Sequence, residues 1–381
     1  MQPRERVLKA LNHQEPDRIP FDLGSTLVTG ISSRAYKAYL EYLGKPAEKI
    51  EIVDMVQQLA SVPEEMLREL EVDIRGLWPG PPSNWKLEIE EDENYRWFKD
   101  EWGIIWKMPK VAGFYFDMQF HPLAEIDSIE GLRKHKWPNP TDPARFVGLR
   151  EKAEAAYNAG YAVVMGNMTG GFAEIPAWLR GFENWYCDLA LNPQFAHELL
   201  DITLDIQMRY VEKILEVIGD LLTVYIDSED AGSQKGPLMS RKMFQEFVKP
   251  RLKQLYEMVK KRSRAKIFVH SCGSVYELIP DFIEAGVDIL NPVQISAKHM
   301  DPVRLKREFG KDLTFWGGGV DTQYILPRGT PAEVRDCVRR QIEILAPGGG
   351  FVFNTVHNIQ ADVPPQNLEA MLLTLKEYGK Y

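Results

Sequence analysis

The sequence predicts an α/β protein of the (β/α)8, or TIM-barrel, class with an antiparallel hairpin inserted in its N-terminal half. Three observations lead there. Short β-rich runs alternate with amphipathic stretches through the second half of the chain, the pattern of successive βα units around a parallel sheet. Two further β-rich runs in the first half complete a set that can close on itself without an edge. No G-x-G-x-x-G turn follows the first strand, as an open, doubly wound sheet would usually require.

Arg18 to Leu23 (RIPFDL) and Asp73 to Trp78 (DIRGLW) are the two early strands. The later six are Ala162 to Asn167, Leu222 to Asp227, Lys266 to His270, Asp288 to Pro292, Leu313 to Trp316 and Gly350 to Asn354. Most are continuous apolar runs, as expected when both faces are buried. The clearest helices are Pro193 to Ile218, Ser240 to Lys261, Val275 to Ala285, Pro302 to Phe309, Pro331 to Leu345 and Pro365 to Tyr378, several opened by proline or serine. From Trp85 to Met118 the pattern changes to polar–apolar alternation, which predicts an antiparallel hairpin turning near Glu91 to Asn94. Its four tryptophans, Trp85, Trp97, Trp102 and Trp106, suit either an aromatic substrate mouth or a small sheet packed on the barrel end. The second is the plainer expectation, since aromatic residues are strand formers anyway.

With 381 residues the chain is long enough for one barrel domain over residues 1–381, with the 85–118 insertion inside it. Its 44% hydrophobic and 27% charged residues are ordinary for a globular protein. The formal charge of -9 argues against a general affinity for nucleic acid, whose phosphates need a basic footprint. No apolar run approaches the roughly 18 residues of a membrane span, and the start has no signal-peptide character. A cytoplasmic location is the expectation, and three cysteines, too few for a disulfide framework, fit a reducing compartment.

The sharpest chemical feature is HSCG, where His270 and Cys272 stand two apart at the C-terminal end of the strand KIFVH. Barrel enzymes place reactive groups on the loops after the strands, and residues of one parity face one side. An imidazole and a thiolate suit Zn²⁺, which needs at least one more protein ligand; the competing reading is a buried cysteine beside a hydrogen-bonded histidine. His357, just after the last strand, is the candidate third ligand, or else a substrate hydrogen-bond donor or acid/base group. Glu229 and Asp230 follow another strand and are the candidate catalytic carboxylates or a fourth ligand; a solvated acidic turn is the alternative. Gly317, Gly318 and Gly319 in WGGGVDTQ either let backbone N–H groups approach an anion or cofactor or form only a tight turn. Cys187 and Cys337 fall in helical stretches, where free cysteine packs as a small apolar group.

Several segments together carry a resemblance: RERVLKALNHQEPDRIPFD, LRGFENWYCDLALNP, DSEDAGSQKGPLMS with FVKPRLKQL, FVHSCGSVYELIPDFIEAGVDILNPVQ and VHNIQADVPPQNLEAM. The chain resembles the uroporphyrinogen-decarboxylase-like proteins over nearly its whole length, and within them the cobamide-dependent zinc methyltransferases. That resemblance implies a (β/α)8 barrel. True uroporphyrinogen decarboxylases carry an N-terminal R-Q-A-G-R segment that clamps the carboxylates of the tetrapyrrole, whereas this chain has FDLGSTLVTGISSRAY there. The methyltransferase branch binds zinc through an H-x-C pair, matched by His270 and Cys272, followed by a late cysteine. His357 stands where that cysteine belongs, so it either completes a His/Cys/His site or serves as an acid/base group as the matching histidine does in the decarboxylases.

The resemblance implies methyl transfer in a corrinoid system. One thiolate fewer leaves the ion more electrophilic, which suits an ether oxygen and favours a methoxylated donor whose methyl goes to the Co(I) corrinoid of a separate carrier protein. A carrier is expected because the D-x-H-x-x-G signature of a cobamide domain is missing from this sequence. Homodimers are common among the relatives. The alternatives are a lyase acting on a tetrapyrrole or other carboxylate, and a non-catalytic cobamide- or tetrapyrrole-binding barrel.

Overall fold

The computed structural model describes residues 1–381. Seven parallel strands form one sheet: β1 (Ile74–Gly76), β2 (Ala162–Gly166), β3 (Val224–Ser228), β4 (Lys266–His270), β5 (Ile289–Asn291), β6 (Thr314–Trp316) and β7 (Phe351–Val352). Each pairs with its neighbour in chain order, so the sheet curls with helices outside it, the architecture of a TIM barrel. All seven lie within or overlap runs predicted from the sequence.

The eighth expected strand, Arg18 to Leu23, is not one. Its middle nevertheless lies between the two outer strands: Phe353 N donates to Pro20 O at 2.8 Å, Asp22 N to Phe353 O at 3.0 Å, and Asp73 N to Phe21 O at 2.9 Å. Pro20 has no N–H and its φ is fixed, so the segment closes the gap by single bridges and cannot extend a ladder.

Strand alternation sorts the core into two parts. Ile74, Val164, Val224, Phe268, Ile289 and Trp316 belong to an inner cluster with Val7 and Leu11 of α1 (Pro3–Leu11), which plugs one end. Ile267, Val269 and Leu290 belong instead to the large cluster between sheet and helices. Phe268 therefore points inward, and so does the next residue of its parity on β4, His270. The same rule turns Ile289 and then Asn291 inward on β5.

Four predicted helices, Pro193–Ile218, Pro302–Phe309, Pro331–Leu345 and Pro365–Tyr378, have the expected bounds. The Ser240 to Lys261 prediction is interrupted by a π turn over Phe244–Val248. Pro250 explains it: the ring would strike the carbonyl of Glu246, and a wider turn relieves the clash. Val275 to Ala285 opens as a 3₁₀ turn, Tyr276–Leu278, before the α-helix Ile279–Ala285. No helix is long and apolar enough to cross a membrane.

The insertion is larger than a hairpin. Strands Glu90–Glu91, Tyr95–Lys99, Ile105–Pro109 and Asp117–Phe120 form a separate antiparallel sheet. Its first turn lies where expected, held by Asp92 Oδ1 accepting from the N–H groups of Asn94 and Tyr95. A second turn is built on Asp100, which accepts from Trp102 N and Ile104 N and from Trp106 Nε1 at 2.8 Å.

At the plugged end of the barrel Asp73, 1% exposed, binds Arg6 and Arg18, each at 2.7 Å, while Arg6 also holds Asp17. The opening segment RERVLKALNHQEPDR is thus a structural clasp. Removing one partner of a buried pair leaves the other charges uncompensated. Asp73→Ala is expected to lower unfolding stability by about 3–5 kcal/mol, read as a shifted denaturant midpoint; an unchanged midpoint would contradict this role.

Candidate metal centre

His270 ends β4 and is 3% exposed. Its Nδ1 lies 2.5 Å from Asn291 Oδ1, and Asn291 Nδ2 donates to Trp316 O at 2.7 Å. The Asn291 oxygen can only accept, so Nδ1 carries the proton and the Nε2 lone pair is left free. That lone pair belongs to the nitrogen 3.4 Å from Cys272 Sγ.

Cys272 is placed by a tight turn. Its N–H donates to Asp230 Oδ1 at 2.7 Å, and the next residue, Gly273, has φ +85°. A β-carbon at Gly273 would lie 2.6 Å from the Gly232 and Ser233 backbone, so only glycine fits. His357 arrives from the segment after β7, with its ring 5.4 Å from that of His270. The ligand atoms of His270, Cys272 and His357 all lie within 4.8 Å of one another. A tetrahedral zinc ion with bonds of ~2.0–2.3 Å needs its donors roughly 3.3–3.8 Å apart. The donor set therefore fits zinc with a small closure of the third ligand, and three protein ligands leave a fourth position open.

Electrostatics point the same way. Burial pushes the Cys272 thiol well up, and the charges of Asp230 and Glu174 add to it. Desolvation lowers His357 to about 3, with His270 contributing. Without a cation this thiol stays protonated and is a poor nucleophile. The imidazole stays neutral, the form that binds metal.

His270 and His357 stand in the wall of a cavity of about 520 Å³, with Cys272 just behind it against His270. Trp78, Trp85, Trp102, Trp106 and Trp178 supply much of the remaining wall. Three of the four insertion tryptophans thus face the cavity and Trp97 does not. Packing on the barrel end, the plainer expectation, is only part of their role.

A family model described as uroporphyrinogen decarboxylase (URO-D) matches residues 121–378. The chain belongs to the URO-D family. Among solved structures, this URO-D chain is similar to "methyltransferase from Methanosarcina mazei", with a TM-score of 0.65 and 16% identity over 99% of each chain. At that identity the likeness is one of fold. A β-glucosidase mutant derived from a hyperthermophilic tetrameric structure gives a TM-score of 0.44 at 11% identity over 95% of each chain. An endo-1,4-beta-xylanase from Caldicellulosiruptor owensensis gives 0.34 at 12% identity, covering 58% of this chain and 71% of its own. No curated protein sequence matches the chain.

The other candidate residues of this URO-D member divide. Asp230 is in the cavity wall, its Oδ1 3.7 Å from His270 Nε2. Glu229, beside it in an extended segment, turns away: it is 3% exposed, accepts from Ala173 N at 3.2 Å and does not line this cavity. Gly317, Gly318 and Gly319 do not bring free N–H groups to a ligand. Those groups donate to Val352 O, Thr355 O and Asn354 O, and none of the three glycines lines the cavity. A β-carbon at Gly319 would lie 2.4 Å from the Phe353 ring, so the run serves a tight turn against β7.

Two residues escaped the sequence reading. Asn291 ends β5 in DILNP, where asparagine before proline reads as the start of a turn. Glu174 lies in the loop after β2, accepts from Ser228 Oγ at 3.2 Å, and lines the cavity. Burial, then the charge of Asp230, pushes its carboxyl well above the usual range. Its position after a strand, like that of Asp230, was the available signal.

Proposed function

We propose that this URO-D family member is a zinc-dependent methyltransferase that moves a methyl group from a small methylated molecule to the Co(I) corrinoid of a separate carrier protein. The observation that carries this reading is the convergence of His270, Cys272 and His357, with the His270 tautomer set by Asn291 and both imidazoles in the wall of a tryptophan-lined cavity. Zinc bound there supplies Lewis acidity at the heteroatom that bears the methyl group.

The chain's own residues prepare that chemistry. Asn291 keeps the His270 Nε2 lone pair directed at the site. Cys272 binds a metal as thiolate and must release its proton; Asp230, 39% exposed and accepting a hydrogen bond from the Cys272 N–H, is the carboxylate proposed to take it up. The tryptophans bind the apolar body of the substrate and exclude water. A volume of about 520 Å³ suits a small molecule. Within that class a methoxylated compound is favoured, because a His/Cys/His set has one thiolate fewer to soften the ion.

A tetrapyrrole polyacid fits poorly. The cavity wall contains no lysine or arginine, and carboxylates buried without cationic partners are strongly disfavoured. We read residues 1–381 as one barrel domain with its insertion, a reading supported by the 99% coverage of the methyltransferase fold. The carrier would dock over the cavity mouth, and a cytoplasmic location would keep the thiol reduced.

The test is direct. The purified protein is expected to contain one zinc per chain and, with methoxylated compounds and a reduced corrinoid protein, to generate the absorption spectrum of methylated cobalt. Metal-free protein that gains no activity with added zinc would sink the reading.

A further inference from the structure

The cavity wall is unbalanced in charge. Asp54, Asp100, Glu101, Glu174 and Asp230 line it, with no lysine or arginine among its residues. Two of the five are engaged elsewhere: Asp100 holds the second turn of the insertion, and Glu101 pairs with Arg145. Asp54, Glu174 and Asp230 have no lysine or arginine partner. Burial raises Asp54 to about 6 and holds Glu174 well above its ordinary range, the response of carboxyls that lack a counter-charge.

Three of these wall elements meet in one corner. Trp106 and Trp178 stand edge to face, 5.7 Å apart at 89°, and so form two perpendicular sides. Glu174 lies one turn before Trp178. A β-carbon at Gly170 would be 2.8 Å from the Trp178 ring and 2.9 Å from Glu174 Oε2, so ring and carboxyl are neighbours, both packed against this glycine.

Perpendicular tryptophan faces beside a carboxylate attract a positive charge through the ring quadrupole and by direct charge pairing. We propose that the methyl donor is a small cation whose ammonium group sits in the corner formed by Trp106, Trp178 and Glu174. This rests on the methyltransferase reading and narrows its substrate class. The ammonium group and the methylated heteroatom are separate parts of one molecule, because a fully alkylated nitrogen has no lone pair to offer a metal. An aminoalkyl methyl ether has the required parts. The bound cation supplies the counter-charge that Glu174 lacks.

Equilibrium binding to the zinc-loaded protein tests this without any turnover. Choline is compared with its neutral isostere 3,3-dimethylbutan-1-ol, by calorimetry or tryptophan fluorescence. Choline is expected to bind at least about tenfold more tightly. The isosteric Glu174→Gln change is expected to remove most of that preference, with zinc content as the control for an intact site. Equal binding of the two probes, or a preference that survives both Glu174→Gln and Trp178→Leu, overturns the proposal. The two readings fail separately: cation preference without zinc or methyl transfer discards only the methyltransferase, and methyl transfer from neutral ethers without cation preference discards only the ammonium corner.

Discussion

Cys272→Ala protein is expected to retain less than about a tenth of its zinc and to transfer methyl groups at least ~10³-fold more slowly. Of the three donor side chains, Cys272 alone brings a negative charge, and an imidazole pair by itself is an incomplete zinc site. Loss of a Lewis acid worth several kcal/mol of transition-state stabilisation corresponds to a rate effect of about this size. Metal content by atomic spectroscopy and the rate of corrinoid methylation are the two readouts. Full zinc content in the variant would show that the thiol is no ligand. The turn around Cys272 rests on Gly273 and on backbone hydrogen bonds to Asp230 and Gln294, so the variant is expected to fold.

Asn291→Leu is expected to weaken zinc binding by about 10–100-fold without removing any ligand. The asparagine fixes which His270 nitrogen carries the proton, and it is itself held by Trp316 O. Without that acceptor the ring is free to rotate or to protonate Nε2, and each such state must be reversed before a metal binds. Competition with a chelator of known affinity gives the shift. An affinity within twofold of the parent would mean that the ring is oriented by packing alone. Leucine keeps the same number and branching of side-chain heavy atoms, so the substitution leaves no cavity in the inner layer.

The barrel was legible because its signals are local. KIFVH reads as a buried strand, and its two-residue period alone places His270 and Cys272 on one side. Where local rules compete, the reading stops short. Pro20 sits in a run of strand-like composition but cannot donate to a ladder, so RIPFDL only bridges the barrel. Glu229 and Asp230 look equivalent in sequence, yet neighbours in an extended segment point to opposite sides, and only Asp230 reaches the cavity. The glycine run after β6 had two physical uses, and only coordinates reveal that its N–H groups are already taken. Asn291 and Glu174 act through residues distant in the chain, which periodicity cannot indicate. The last strand of the insertion follows an irregular stretch, 110–116, that masks its pairing with Ile105–Pro109.

The insertion has its own sheet, hydrogen-bonded separately from the barrel. Trp106 stands on that sheet and Trp102 in the turn joining two of its strands, whereas the chain from Trp316 through Asn291 to His270 stands on the barrel strands. Part of the cavity wall and the proposed metal ligands are therefore mounted on different scaffolds. Substitutions within residues 85–118 are expected to reshape one side of the cavity while the spacing of the proposed metal ligands on the barrel stays fixed.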